Sequence, residues 1–285
     1  MTTIKLALQK KGRLSEGSMD LIRRCGIKVQ NGIGKLKAEA SNFPIEFLFL
    51  RDDDIPGYVQ DGIADIGIVG ANVMVEKDSH VEVVHHLGFS KCRLSIAVPK
   101  DQEYNGIQDL DGKSIATSYP VLLKKYLDEQ GVTADIHEIS GSVEIAPSIG
   151  LADAVCDLVS TGSTLFQNGL KEVEQIYKSE AVMVATPDLA EDKQAVLNQL
   201  LFRIKALQEA ESKKYILLNA PEDAVERIKS VLPGMRSPSI LPLAEPGWVS
   251  LHSVINENTF WENIEALKEA GAEGILVVPI EKMIL

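Results

Sequence analysis

The densest chemistry in the chain lies in Asp157-Leu158-Val159-Ser160-Thr161-Gly162-Ser163-Thr164-Leu165. The apolar run from Ala154 to Val159 reads as a buried strand. It stops at small hydroxyl and glycine residues, and Thr164-Leu165-Phe166 reads as the start of a helix. Such a turn presents backbone N–H groups and the hydroxyls of Ser160, Thr161, Ser163 and Thr164 to an anion, and Gly162 admits close approach of the backbone. That is a cradle for a phosphate. Asp157 is too negative to face the phosphate, but it can hold sugar hydroxyls beside it. An acidic residue ahead of a small-residue phosphate loop suits a 5-phosphoribosyl group; the bland alternative is a capping residue followed by an ordinary turn.

Cations stand elsewhere. Lys10, Lys11 and Arg13 occupy one strand-to-helix turn, and Arg51 follows another apolar strand. In an open α/β sheet the carboxyl ends of parallel strands face the ligand crevice, which puts both clusters on one rim. Guanidinium groups grip phosphate with two prongs, so Arg13 and Arg51 are the stronger candidates and Lys11 the weakest. Asp52, Asp53 and Asp54 open a helix, where capping and the helix dipole explain them better than a metal site. Glu144 joins Asp157 as a candidate for ribose hydroxyls. Tyr119, between a strand end and a helix start, is placed either to stack on a flat ring or to pack with its hydroxyl satisfied. His80, His85, His86, His137 and His252 form no ligand pattern.

The elements around these residues alternate. Strands at 4–9, 45–50 and 64–70 are interleaved with helices from about residue 15 to 25 and from 55 through Ile63. The pattern restarts at Cys92, with strands at 94–99, 114–117 and 134–139, helices at 121–130 and near 142–152, and then the phosphate loop. This predicts a parallel α/β architecture of two lobes with a cleft, the second lobe (92–177) inserted into the first (1–91 and 178–212). Residues 213–285 read β-α-β-β-α-β, a ferredoxin-like split unit.

Composition limits the options. The 285 residues are 45% hydrophobic and 5% aromatic, ample for aliphatic cores. A net charge of −12 argues against nucleic acid as a partner. Three isolated cysteines fit neither a disulfide framework nor a metal site. No apolar run is long enough to span a membrane and no signal segment opens the chain, so the expectation is a cytoplasmic enzyme.

Several segments in order carry a resemblance over the whole chain: Ala7-Leu8-Gln9-Lys10-Lys11-Gly12-Arg13-Leu14-Ser15, Arg51-Asp52-Asp53-Asp54-Ile55-Pro56-Gly57, Ala116-Thr117-Ser118-Tyr119-Pro120, Gly141-Ser142-Val143-Glu144, the phosphate loop, and Pro238-Ser239-Ile240-Leu241-Pro242-Leu243. They resemble the long form of the ATP phosphoribosyltransferase family, which opens histidine biosynthesis. Lys11 departs from the small residue common there, and Ser163 from alanine or arginine. The resemblance implies a two-lobed core like that of periplasmic binding proteins, followed by a C-terminal domain that binds histidine as inhibitor. It implies Mg²⁺-dependent transfer of phosphoribose from phosphoribosyl pyrophosphate to ring nitrogen 1 of ATP, and dimers that assemble into hexamers. On this reading Lys10, Arg13 and Arg51 serve catalysis. Glu144, Asp157 and residues 160–165 (Leu165 included) bind phosphoribosyl pyrophosphate, and Arg13, Asp65 and Tyr119 bind ATP. Asn219, Ser237, Ser239 and Gly274 are the candidates for histidine; no protein ligand for the metal is assigned. A two-lobed binding or sensing protein without catalysis is the competing class. An inactive regulatory relative is a further one, against which the intact phosphate loop argues.

Overall fold

The computed structural model describes residues 2–30, 36–232, 234 and 237–285. The chain divides into two compact units, 1–199 and 200–285, with the division inside a long helix.

The first unit opens with β1 (Ile4–Gln9), α1 (Arg13–Arg24), β2 (Val29–Gln30), β3 (Lys37–Ala40), β4 (Ile45–Leu50), α2 (Ile55–Gln60), β5 (Ile66–Gly70), α3 (Ala71–Glu76) and β6 (Glu82–His86). The chain then builds a second sheet from β7 (Cys92–Pro99), β8 (Ser114–Thr117), α4 (Pro120–Gln130), β9 (Asp135–Glu138), β10 (Ala154–Val159), α5 (Ser163–Gln167) and β11 (Leu170–Ser179). It returns through β12 (Ala181–Ala185) and enters α6 (Glu191–Glu211). The sheets run β2-β3-β4-β1-β5-β12-β6 and β11-β7-β10-β8-β9. Central strands such as β12 are buried on both faces, so they read as unbroken apolar runs rather than alternations.

The sheets are mixed rather than parallel. β1 pairs parallel with β4 and β5, and β8 with β9 and β10, but β12 and β7 run antiparallel to their neighbours. β3 also runs antiparallel to β2 and β4, within the first lobe; for β7 and β12 the cause is the double crossing between lobes. β7 and β12 each receive the chain from the other lobe at the cleft edge, where the parallel strands end. The cleft is therefore lined by the carboxyl ends of β1, β4, β5, β8 and β10 and by the start of β7. Glu76, on α3 of the first lobe, accepts the N–H groups of Val121 and Leu122 at 2.9 and 3.0 Å, capping α4 of the second.

Two expected helices differ. Residues 142–152 form a short 3-10 turn at Val143–Ile145 and successive turns, because Pro147 has no N–H to continue a helix. α2 ends at Gln60, leaving Ile63 in an exposed loop.

The second unit holds β13 (Lys213–Pro221), α7 (Val225–Val231), β14 (Ser239–Pro242), β15 (Trp248–Asn256), α8 (Glu257–Glu269) and β16 (Glu273–Pro279). The antiparallel order β14-β15-β13-β16 is that of a ferredoxin-like sheet. Its core joins Ile216, Leu218, Leu251 and Ile255 of the sheet to Ile228, Phe260 and Leu267 of the helices.

Candidate active site

The phosphate loop forms the turn from β10 to α5. Gly162 caps α5 at φ 80°, the left-handed region that strains side-chained residues. Thr161 Oγ1 and Ser163 Oγ lie 3.0 Å apart, and the Ser163 N–H points at Thr161 Oγ1 at 3.4 Å. α5 has only five residues, so hydroxyls and local N–H groups, not a helix dipole, define the loop. Leu165 is buried in the core beside Val159 and Leu170, which leaves only its backbone for a ligand.

A cavity of about 180 Å³ opens on this loop, lined by residues 157–165 together with Glu144 and Arg13. Arg13 comes from the first lobe, so both lobes build the cavity. The two carboxylates feel each other. Burial pushes Asp157 above the usual carboxylate range; the Leu158 N–H, donating to Oδ1 at 2.7 Å, opposes this, and nearby Glu144 adds to it. A second cavity of about 340 Å³ shares Arg13, Leu158 and Ser160 with the first, and adds Gln9, Asp52, Gly70, Asn72, Cys92 and Ser179. Tyr119 caps the start of α4, half-buried. Burial raises its hydroxyl pKa, and Asp157 and Asp52 act in the same direction.

The remaining expected residues fall in different places. Lys10 sits exposed at the end of β1, its N–H donating to the Leu50 carbonyl at 2.9 Å. Arg51 is 77% exposed and pairs with Asp53 at 3.4 Å; it stands on the rim, outside both cavities. Asp65 lies apart from the other expected residues. It precedes β5, at the end of the sheet away from the cleft. There it is buried, accepting the Lys5 N–H at 2.7 Å and pairing with Lys193 at 2.7 Å. These contacts anchor it between β1 and α6, and it lines neither cavity.

Two groups were not legible as functional. Arg93, at the start of β7, forks onto Glu172, and its Nη1 donates to the Ser160 carbonyl at 3.1 Å, holding the first residue of the phosphate loop. Glu172 also accepts from Ser95 Oγ at 2.8 Å. No local pattern links the two, since in the strand register Arg93 stands opposite Lys178 and Glu172 opposite Ala97. The other group is Asp52. Burial, reinforced by Asp53, pushes its carboxyl up to about 6. The folded chain thus holds this proton more tightly than the unfolded one, so its contribution falls as pH rises from about 4 to about 6 and stays unfavourable above that. Asp52→Asn should therefore stabilise the protein at about pH 7.5, by on the order of 2–3 kcal/mol, and change little at about pH 4. Thermal melts of both proteins at the two pH values check this; equal shifts at both would remove the buried charge as the cause.

A family model described as ATP phosphoribosyltransferase matches residues 51–206, and one described as HisG, C-terminal domain matches 210–282. ATP phosphoribosyltransferase of Cytophaga hutchinsonii is 60% identical over 283 residues, covering 99% of each chain. The chain belongs to the ATP phosphoribosyltransferase family. The enzyme of that name from Phocaeicola vulgatus is 55% identical over 99% of this chain and 100% of its own. Among solved structures, the ATP phosphoribosyl transferase (HisG:HisZ) complex of Thermotoga maritima contains a chain with a TM-score of 0.61 and 29% identity. The match covers 71% of this chain and 99% of that one. A periplasmic sulfonate-binding protein of Methylobacillus flagellatus, at a TM-score of 0.51 and 16% identity over 72% of this chain and 67% of its own, shares the two-lobed fold alone. The family's activity is a glycosyltransfer that joins phosphoribose to ATP at the start of histidine biosynthesis, with ATP and phosphoribosyl pyrophosphate as substrates. Among the described residues, no helix is long and apolar enough to cross a membrane.

Proposed function

We propose that the cleft of residues 1–199 aligns phosphoribosyl pyrophosphate and ATP for in-line displacement at the anomeric carbon. The observation that carries this reading is the cavity that joins Arg13 of one lobe to Glu144, Asp157 and the loop 160–165 of the other. In this reading Ser160, Thr161, Gly162, Ser163 and Thr164 hold the 5-phosphate, and Arg93 keeps the loop in place. Glu144 and Asp157 accept the ribose hydroxyls. Arg13 faces the pyrophosphate, Lys10 and Arg51 add positive charge at the rim, and Tyr119 lies beside the adenine. Nitrogen 1 of adenine attacks with its own lone pair, and the departing pyrophosphate takes the electrons of the broken C–O bond. No proton leaves the nucleophile, so no general base is needed; the residues contribute alignment and charge.

Among the described residues no three metal-ligating side chains converge. The donor set, two carboxylates beside a phosphate loop, fits a Mg²⁺ carried by substrate phosphates and water. Glu144 and Asp157 would face it, and when bound it would offset charge on the pyrophosphate. The enzyme acts in the cytoplasm, where both substrates are supplied. The test is to combine the protein with ATP, phosphoribosyl pyrophosphate and Mg²⁺ and to follow pyrophosphate. Release that requires both substrates is expected; binding of both without release would favour the non-catalytic two-lobed reading.

The C-terminal unit is assigned to feedback inhibition by histidine and to assembly of dimers into hexamers. Asn219 lies against Gly274, where an added Cβ would stand 3.6 Å from Asn219 Nδ2. Ser239 lies on β14 opposite His252, with β15 between it and Asn219, and Ser237 is exposed just before β14. Tyr215 and His252 bond at 2.7 Å, and His252 reaches Ser250 at 3.1 Å, so a polar chain crosses this face. Exposed Tyr215, Leu276 and Val278 offer apolar surface for subunit contact. Histidine should inhibit without competing with either substrate, and Asn219→Ala or Ser239→Phe should raise the inhibitory concentration at least about tenfold. Steady-state inhibition patterns decide this; simple competition would place histidine in the cleft.

A further inference from the structure

The cavity of about 340 Å³ holds a donor and an acceptor that the protein leaves without partners. Asp52 Oδ1, Asn72 Nδ2 and Ser253 Oγ are the buried side-chain polar atoms with no hydrogen-bond partner among the described residues, and the first two belong to residues lining this cavity. Buried polar groups are nearly always satisfied, so an unpaired donor and an unpaired acceptor beside one cavity call for a ligand. Asn72 is built in firmly. It is 3% exposed, its Oδ1 accepts the Ser179 hydroxyl at 2.7 Å, and its own N–H donates to Ser179 Oγ at 3.1 Å. Gly70 makes room for it, because a Cβ there would stand 2.5 Å from Asn72 Oδ1. The amide is thereby fixed, and its buried NH₂ is the end left without a partner.

We propose that Asp52 and Asn72 read the N6–N7 edge of adenine and set the enzyme's preference for a 6-aminopurine nucleotide. The inference rests on the reaction proposed above. The cavity shares Arg13, Leu158 and Ser160 with the phosphate-loop cavity, so a base in it lies next to the ribose. Adenine offers a donor at N6 and an acceptor at N7, the complement of a carboxylate oxygen and an amide NH₂, and this contact leaves nitrogen 1 free to attack. A 6-oxopurine would turn an acceptor towards the Asp52 acceptor, and a protonated nitrogen 1 besides. As nitrogen 1 bonds to the anomeric carbon, positive charge spreads over N1, C6 and N6 while N6 keeps both protons. Asp52 then faces that developing charge, which gives it weight in the transition state beyond binding.

The test pairs a changed residue with a changed atom of the nucleotide. 7-Deaza-ATP lacks the N7 acceptor, and purine riboside triphosphate lacks the N6 amine. For the wild type each should lower kcat/KM about tenfold against ATP, the size of one lost hydrogen bond. Asn72→Ala with ATP should lose about the same, and Asn72→Ala with 7-deaza-ATP should lose no more. Asp52→Asn and purine riboside triphosphate should behave alike, with part of the loss in kcat. KM for phosphoribosyl pyrophosphate should stay within about twofold throughout. Losses that multiply, or a shift in phosphoribosyl pyrophosphate KM instead, overturn the assignment. Calorimetric titration of each nucleotide alone into each protein reads the same contacts without turnover. A protein that binds with these preferences and releases no pyrophosphate sinks the reaction and keeps the contacts; a protein that turns over without them sinks the contacts and keeps the reaction.

Discussion

Replacing Gly162 with valine is expected to lower kcat/KM for phosphoribosyl pyrophosphate by on the order of a hundredfold while the protein still folds. The reason is conformational rather than steric. Gly162 sits at φ 80°, and an added Cβ would meet only Val159 Cγ1, at 3.9 Å. A β-branched residue pays about 1–3 kcal/mol to hold that backbone, and the loop would relax out of it. Relaxation displaces the hydroxyls of Thr161 and Ser163, which stand on either side. The loop lies outside the hydrophobic cores apart from Leu165, so the melting temperature should move little. Calorimetry with phosphoribosyl pyrophosphate and rates of pyrophosphate release measure the effect. Unchanged affinity in a folded variant would show that the 5-phosphate binds elsewhere.

Arg13→Ala is expected to be costlier for turnover, on the order of 10² to 10³ in kcat/KM, with KM for both substrates affected. Among the described residues Arg13 is the one rim cation of the first lobe that lines both cavities, whereas Arg51 is engaged by Asp53. Among the described residues no hydrogen bond or ion pair engages the Arg13 side chain, so little stability should be lost. Arg13→Lys should recover only part of the rate, because an ammonium group cannot grip phosphate with two prongs. A variant that melts much lower while its folded fraction keeps full activity would make Arg13 structural. Arg51→Ala should cost less than Arg13→Ala in the same assay.

The residues that reach the cleft and those that do not show what a sequence can carry. Asp157, Gly162 and Glu144 were legible because strand–turn–helix punctuation is local, and their placement needs only one β-to-α step. Arg13 was legible through the rule that parallel strands end at the crevice. Arg51 shares that rule and still misses the cavities, since a side chain on the rim has freedom that an adjacent Asp53 resolves. Asp65 read as part of a strand and took its ATP role from the resemblance alone; it precedes β5, at the edge away from the crevice, and its Lys193 partner is 128 positions away, beyond any local pattern. Asp52 was discounted for a sound local reason, the helix start. Its burial depends on tertiary structure, which also brings Cys92 and Tyr119 within its electrostatic reach. The two-lobed core and the split β-α-β-β-α-β unit followed from periodicity, but the reversed strands β7 and β12 did not, because direction depends on where the chain crosses between lobes.

The carboxylate of Glu76 has a consequence for time as well as structure. Its two bonds tie the start of α4 to the other lobe, so parting of the lobes frees the amides of Val121 and Leu122 to exchange their hydrogens with solvent. Those two amides are thus a natural clock for cleft opening. Their exchange should be slow in the free protein and slower again with substrates bound, and in Glu76→Gln, which weakens the bonds but keeps the shape, the clock should run fast while the amides inside α4 keep their pace.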